Sequence, residues 1–510
     1  MRSLENFKNV LDELIDFVEE NRSLLDTNHV QFLVDNHWFT DSILNPSLRN
    51  DLEYFIKEKS GLEKGPVNLI RYFSELFDFD PKLENLNSLF FKLRKLFEIW
   101  DDEICTDQSE LLKTDKSELI EFNKMVNDKF SVIQKQNRFM NLKKSYEVDH
   151  MSKFVGTLCR KHEIYTIVDI GSGRAYLSSQ LSSSIFDNKF NLIAIDSSQS
   201  NVESSIKRIN VMKRKTQVFD QKQQQEADRF KTFSQFIQSS TELHNLVREN
   251  TENKLENENY ALVGLHSCGN LSNSIINLFL NNSESDRKLL CNVACCYNLL
   301  NEKYAKDPLS NYDFKKTDIK LDDSSKFPMS AYLNSNQYAL TYNLRMLACH
   351  SLYRCLDSIE NYKELNNATL WYRTMLQLIL YENYLEDFPN QENSTEINLQ
   401  VGRKMLDFDS MPPFVEYVRK VIKKFNLNND KLTDDQINEY MNKHESMKPK
   451  LDIYIQIKYL MAPIIEYIIL LDRLIYLYEI DNLEKFDHYL VKLFDPAKSP
   501  RCHALISFNK

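Results

Sequence analysis

The sequence predicts an α/β fold: an open, largely parallel sheet with helical segments before it and inside it. Three observations carry this. An apolar β-branched run, Ile167-Val168-Asp169-Ile170, ends in the turn Gly171-Ser172-Gly173 and leads into a segment with Leu177 and Leu181 on one helical face. Two further short apolar runs, 260–265 and 292–295, end in residues that can do chemistry. Elsewhere apolar residues recur at helical spacing, as in Phe7, Val10, Leu11 and Leu14.

A chain of 510 residues exceeds one ordinary domain. We expect a helical N-terminal lobe over 1–130, with Trp38 and Trp100 as packing anchors, and an α/β core over 131–355. A helical insertion over 356–480 and a C-terminal strand pair over 481–510 that completes the core follow. Apolar residues make up 42%, enough for a sizeable core, and the net charge of −10 argues against a protein that coats nucleic acid. No DNA partner is expected. The nine cysteines show no regular framework, and the N-terminus reads as an amphipathic helix, so reduced thiols in a soluble intracellular protein are the expectation. The apolar stretch 464–480 carries Glu466, Asp472 and Arg473, which marks a buried helix and no membrane span.

In chain order, the first candidate site residues are Lys144 and Glu147, three apart on a helix that enters the sheet. They form a solvated ion pair or line the cofactor entrance. The glycine turn follows. Only 8 glycines occur in the chain, and Gly171 and Gly173 fit a backbone that turns sharply and lets a ligand approach. A dinucleotide fingerprint needs a third glycine where Tyr176 stands. The spacing D-x-G-x-G, with a second strand over 191–195 ending in Asp196, fits S-adenosylmethionine (SAM) instead. In that reading backbone N–H groups of the turn, Ser172 included, meet the methionine carboxylate, Asp169 orders the turn near the amine, and Asp196 binds the ribose hydroxyls.

A helix over 199–211 and a Gln- and Lys-rich insertion over 213–229 come next. Lys207-Arg208 and Lys213-Arg214-Lys215 form a basic run, either a solvated face or an RNA contact. Residues 233–237 read as a short third strand. The fourth strand delivers His266-Ser267-Cys268-Gly269, and the fifth delivers Cys296-Tyr297-Asn298, to the edge that also holds the glycine turn. His266 is the candidate catalytic base, or a structural histidine. Cys268 is a nucleophile or a packing thiol, and Tyr297 stacks on a base or packs. His266, Cys268, Cys295 and Cys296 have zinc-donor atoms but lack paired C-x-x-C spacing, so no metal is assigned.

As a set, Lys143-Lys144-x-x-Glu147, Val168–Gly173, Gly264–Gly269, Cys295-Cys296-Tyr297, Phe327-Pro328-Met329-Ser330 and Phe494-Asp495-Pro496…Ser499-Pro500-Arg501 occur in an order that resembles the methyltransferase-like protein 25 family, with its ribosomal RNA adenine dimethylase domain-containing relatives. The resemblance covers about residues 135–510. It implies a class I methyltransferase (Rossmann-like) fold: a seven-stranded sheet with an antiparallel last strand and a large helical insertion between the fifth and sixth strands. It also implies SAM binding, with a methyl acceptor left open among RNA, protein and small metabolites. The His-x-Cys-Gly tip is similar to transfer RNA 2′-O-methyltransferases of the Trm-thirteen type, which tilts the acceptor toward RNA. Arg174-Ala175 and Tyr146 depart from the family pattern of Lys-Gly and His. The alternative is a catalytically silent methyltransferase-fold binding module that acts through its helical lobes.

Overall fold

The computed structural model describes residues 3–59, 69–76, 79–115, 140–182, 190–216, 229–251, 259–280, 288–305, 323–350, 365–388, 412–481 and 484–510, together with 117, 120, 121, 124–126, 186 and 352. Most of the Gln- and Lys-rich insertion lies outside them. The chain divides into two compact units. One comprises 1–15, 97–349 and 464–510, and the other 16–96 and 350–463.

The first unit holds the sheet. Its strands are β1 (Cys105–Thr106), β2 (Thr166–Ile170), β3 (Asn191–Asp196), β4 (Phe230–Ser234), β5 (Tyr260–Cys268), β6 (Lys288–Cys295), β7 (Phe486–Lys492) and β8 (His503–Asn509). Their order across the sheet is β1-β7-β8-β6-β5-β2-β3-β4. All neighbours are parallel except at β8, which runs antiparallel to both β6 and β7. The α/β class, the parallel order around the glycine turn and the antiparallel last strand are as expected, but the sheet has eight strands where seven were expected.

The additional strand, Cys105–Thr106, comes from a stretch read as helical. It pairs with Leu490 and Val491 at the sheet edge, immediately after Trp100 has docked. Trp100 is fully buried, stacks on Tyr467 at 3.9 Å between ring centroids, and donates its indole N–H to His503 Nε2 at 3.1 Å. A two-residue strand has no periodicity to read, and only the docked tryptophan brings it to the edge. The short third strand, expected at 233–237, lies at Phe230–Ser234, because its register is set by pairing with Leu192–Asp196 of β3.

β2 is buried along its whole length, which suits a parallel strand covered on both faces. The helix Leu142–Lys161 packs on it through Val148, Met151, Phe154, Val155 and Leu158. Asn141 caps that helix by accepting from Lys144 N. The helix Lys448–Ile480 contributes its last half to this unit. There Glu466, Asp472 and Arg473 are buried with partners: Tyr297 and Arg501 for Glu466, the Met329 and Ser330 N–H groups for Asp472, and Asn273 for Arg473. Among the described residues no helix is long and apolar enough to cross a membrane.

The second unit is helical. Trp38 is fully buried there and donates its indole N–H to Glu53 at 3.0 Å. Lys458, also buried, donates to Thr27 O and Oγ1, both at 2.7 Å.

Candidate functional site

The glycine turn is shaped by β3. Gly171 has φ +72° and Gly173 φ +56°, where a side chain is strained. The N–H groups of Gly171 and Ser172 both donate to Ile195 O, at 2.9 and 3.0 Å, and Gly173 N donates to Asp196 Oδ2 at 2.8 Å. These three N–H groups, expected to face the methionine carboxylate, are therefore spent on holding the turn against β3. A Cβ on Gly171 would lie 2.5 Å from Leu271 Cδ2, whereas one on Gly173 would meet no protein atom within 4 Å. Gly173 thus borders open space, and Gly171 borders a packed side chain.

Asp196, at the tip of β3, accepts from Ser198 N and Asn201 Nδ2 as well as from Gly173. It remains half-buried, and a carboxylate has lone pairs beyond the three used. Asp169 is buried beneath the turn and accepts from Ser178 Oγ at 2.6 Å. Burial pushes its carboxyl up to about 6 against the Ser178 hydrogen bonds, and the nearby charge of Asp196 adds to the rise.

A small open cleft lies between the turn and the tip of β5, lined by Lys144, Asp169, Ser172, Tyr176, Leu265 and His266. Tyr176 is held between two cations, Lys144 Nζ 4.3 Å and the Arg208 guanidinium 3.9 Å from its ring centroid. Arg208 also donates to Arg174 O and Ser179 Oγ, so this member of the basic run serves the turn rather than a solvated face. Side chains 213–215 lie outside the described residues.

The expected Lys144–Glu147 ion pair is replaced by another. Glu147 is 1% exposed and pairs with Lys143 one helical turn away, at 3.5 Å. Its Oε2 lies 2.9 Å from His266 Nε2, and its Oε1 accepts from Ser499 Oγ at 2.6 Å. Both lysines lie on the helix within reach of Glu147; Lys143 takes the carboxylate, while Lys144 turns to Tyr176 and the cleft. Lys144 ion-pairs with no carboxylate among the described residues, and burial lowers its pKa. For Glu147, burial pushes the carboxyl up, but the His266 and Ser499 hydrogen bonds and the Lys143 charge outweigh it and hold it below the usual range.

His266 reaches Glu147 because the backbone departs from a regular strand. β5 shifts register by one between Leu265 and Ser267, and His266 sits in that bulge with φ +64°. Ionised Glu147 only accepts, so Nε2–H of His266 donates and Nδ1 is left with a lone pair in the neutral ring. Ser499 belongs to a motif of the C-terminal turn, but its role as a partner of Glu147 was not read from the sequence, because the return of the strand pair does not say which turn residue meets which helix residue.

Cys268 is exposed, with Sγ 3.2 Å from His266 O and 3.5 Å from Cys296 Sγ. Cys295 Sγ lies 3.2 Å from Cys296 Sγ. S–H donation from Cys268, then from Cys295, holds the Cys296 thiol well below its usual range, and Cys295 is correspondingly raised. The absence of C-x-x-C spacing did not keep these sulfurs apart. Tyr297, expected to face the same crevice, is 1% exposed and donates its hydroxyl to Glu466 at 2.9 Å, with the Arg501 guanidinium 5.2 Å from its ring centroid. It has no free face for stacking, because the turn at Cys296 (φ +50°) carries it into the core. Below it, buried Arg345 donates to Glu302 at 2.7 Å and to the Asn298 and Leu300 carbonyls, which fixes the loop after β6.

Comparisons with known proteins agree with the resemblance read from the motifs. Residues 143–303 match a family model described as a methyltransferase domain. The chain is 33% identical over 285 residues to "Probable methyltransferase-like protein 25" of Homo sapiens, covering 56% of this chain and 42% of that protein. It is 32% identical over 284 residues to the Mus musculus protein of the same name, covering 55% of this chain and 41% of that one. The matched stretch thus spans less than half the length of these curated relatives. A crystal structure of the plantazolicin methyltransferase BpumL, in complex with a pentazolic desmethylPZN analog and SAH, aligns at 12% identity and a TM-score of 0.19, over 36% of this chain and 62% of that chain. Residues 143–303 thus resemble a methyltransferase domain, and the chain is similar over more than half its length to the proteins named methyltransferase-like protein 25.

Proposed function

We propose that this domain transfers the methyl group of SAM to an RNA acceptor, with His266 as the base. The observation that carries the reading is the cleft itself. Its walls hold a cation with no carboxylate partner among the described residues (Lys144), a buried carboxyl (Asp169) and an oriented imidazole (His266), and the open side of Gly173 and the strand-tip carboxylate of Asp196 belong to the turn that borders it. SAM presents complementary groups: a carboxylate, an ammonium and a ribose diol. The residues fit it, with one change from the expected division of labour. Because the turn's N–H groups are spent on Ile195 and Asp196, Lys144 takes the methionine carboxylate. Asp169 faces the ammonium, and Asp196 offers its remaining lone pairs to the ribose.

Bound SAM would supply an electrophilic methyl on a sulfonium, so alignment with the acceptor provides much of the rate. Glu147, itself held by Ser499 and Lys143, fixes the His266 tautomer. Nδ1 can then take a proton from a hydroxyl or a protonated amine as the methyl is transferred. RNA is the preferred acceptor because the His-x-Cys-Gly tip is similar to that of RNA 2′-O-methyltransferases, whose acceptor is a hydroxyl that needs such a base. Protein and metabolite acceptors are outcomes of the test.

Calorimetry with SAM and labelled methyl transfer into fractionated cell extract test the proposal. The expected result is binding together with label in the RNA fraction, lost on Asp196→Ala. Binding with no label in any fraction would leave a silent module, and no binding would remove the cofactor assignment.

A further inference from the structure

Strand register and two left-handed residues bring three thiols together beside the cleft. In a regular strand successive side chains point to opposite faces, so Cys295 and Cys296 would diverge. The left-handed φ of +50° at Cys296 breaks that alternation, and the two sulfurs come to 3.2 Å. The bulge at His266 has the matching effect on β5. It sets Cys268 opposite Cys295, and the Cys268 sulfur lies 3.5 Å from that of Cys296, the next residue along. Non-glycine residues in the left-handed region cost on the order of 1 kcal/mol each and persist where the surroundings impose them. Two such positions, on adjacent strands, converge on one sulfur cluster.

We propose that Cys268, Cys295 and Cys296 bind a zinc ion as three thiolates, with the fourth coordination position left for an exogenous ligand. The three sulfurs all lie within 4.8 Å of one another. With Zn–S bonds of about 2.3 Å, tetrahedral angles put sulfurs about 3.8 Å apart. The observed separations, 3.2 Å for Cys295–Cys296 and 3.5 Å for Cys268–Cys296, need only open by a few tenths of an ångström, which small rotations of the thiol side chains supply. Binding replaces the S–H protons, which leave to solvent, and the ion takes up the three sulfur charges. Among the described residues no fourth histidine, cysteine or carboxylate joins the group, and His266 keeps its Nε2 on Glu147. Structural zinc sites close with four protein ligands, whereas sites with three keep a position for water or substrate. The ion would tie the tips of β5 and β6 together next to the base. This proposal is independent of the methyl-transfer reading, because its readout is metal content.

The test uses the full chain, purified in a phosphine reductant, stripped with chelator and titrated with Zn²⁺ against a chromophoric chelator. We expect one equivalent of zinc, and a loss of affinity of at least about tenfold for each of Cys268→Ser, Cys295→Ser and Cys296→Ser. Cys349→Ser, whose thiol lies 3.4 Å from Asn298 Oδ1 outside the cluster, should bind as wild type. Cys268→Ser is the deciding variant, because an exposed strand-end serine leaves the core untouched. Cobalt in place of zinc should give sulfur-to-metal charge-transfer absorption and tetrahedral ligand-field bands that shift on adding 2-mercaptoethanol. Zinc binding well below one equivalent, or unchanged in Cys268→Ser, overturns the site. Cobalt bands that do not respond to added thiol overturn the open fourth position.

Discussion

Replacing Asp169 with asparagine should stabilise the protein and disable the cleft. The carboxyl is fully buried and is pushed from 3.8 to about 6, which corresponds to about 3 kcal/mol of disfavour for the charged form. The sign follows from proton binding. Between about pH 4 and 6 the folded state holds this proton and the unfolded state does not, so stability falls as pH rises, and the full cost is present at neutral pH. Asparagine keeps an oxygen for Ser178 Oγ–H, now 2.6 Å away, and removes the charge facing Asp196. Its NH₂ needs a partner in a buried site, which offsets part of the gain. Asp169→Asn should therefore gain up to about 3 kcal/mol at pH 7.5, little below pH 4, and lose at least about tenfold in SAM affinity. Chemical denaturation across pH 4–8 with calorimetry at neutral pH measures both. An Asp169→Asn protein with the wild-type pH slope would show that this carboxyl does not carry the burial cost, and unchanged SAM affinity would remove it from the cofactor site.

Gly173→Ala should cost only about 1 kcal/mol through its φ of +56°, since its Cβ meets no protein atom, yet weaken SAM binding sharply where Cβ intrudes on the ligand; denaturation and calorimetry together separate the two effects. Glu147→Gln should cost on the order of 1–3 kcal/mol and lower methyl-transfer kcat more than it raises the KM for SAM, because the imidazole loses its orienting carboxylate. The stabilisation from Glu147, whose pKa is depressed, should be present above the usual glutamate range and lost as pH falls below it, which acid unfolding of wild type and variant would show. In the helical unit, burial brings Lys458 down to about 7, so the unfolded state binds more protons between about pH 7 and 10 and stability should rise across that window. Lys458→Met should flatten the rise and stabilise the unit below pH 7 by up to about 5 kcal/mol, read by denaturation.

The glycine turn, Asp196 and the strand-tip position of His266 could be read from sequence because each depends on local rules. Strand alternation, the conformational freedom of glycine and the side on which parallel strands present their carboxyl ends act over a few residues. The same rules located the five parallel strands around the turn, β2 to β6, but not the pairing of Cys105–Thr106, which depends on Trp100 docking against Tyr467 and His503, more than 360 residues along the chain. Tyr297 shows the opposite failure. Its place after a strand suggested a stacking face, and one left-handed residue before it turned the ring into the core.

The sequence by itself determined the α/β class, the glycine turn and the family resemblance, because these are written in short patterns of residue type and spacing. Only the tertiary structure decided the partners. Glu147 meets His266 and Ser499 across 119 and 352 residues of chain, and Cys268 meets Cys296 across 28. Such meetings are set by strand register, by a bulge that shifts it by one residue, and by the path of the turn between β7 and β8. None of these leaves a local mark, because the free energy that fixes them comes from burying a shared core rather than from the residues that happen to meet.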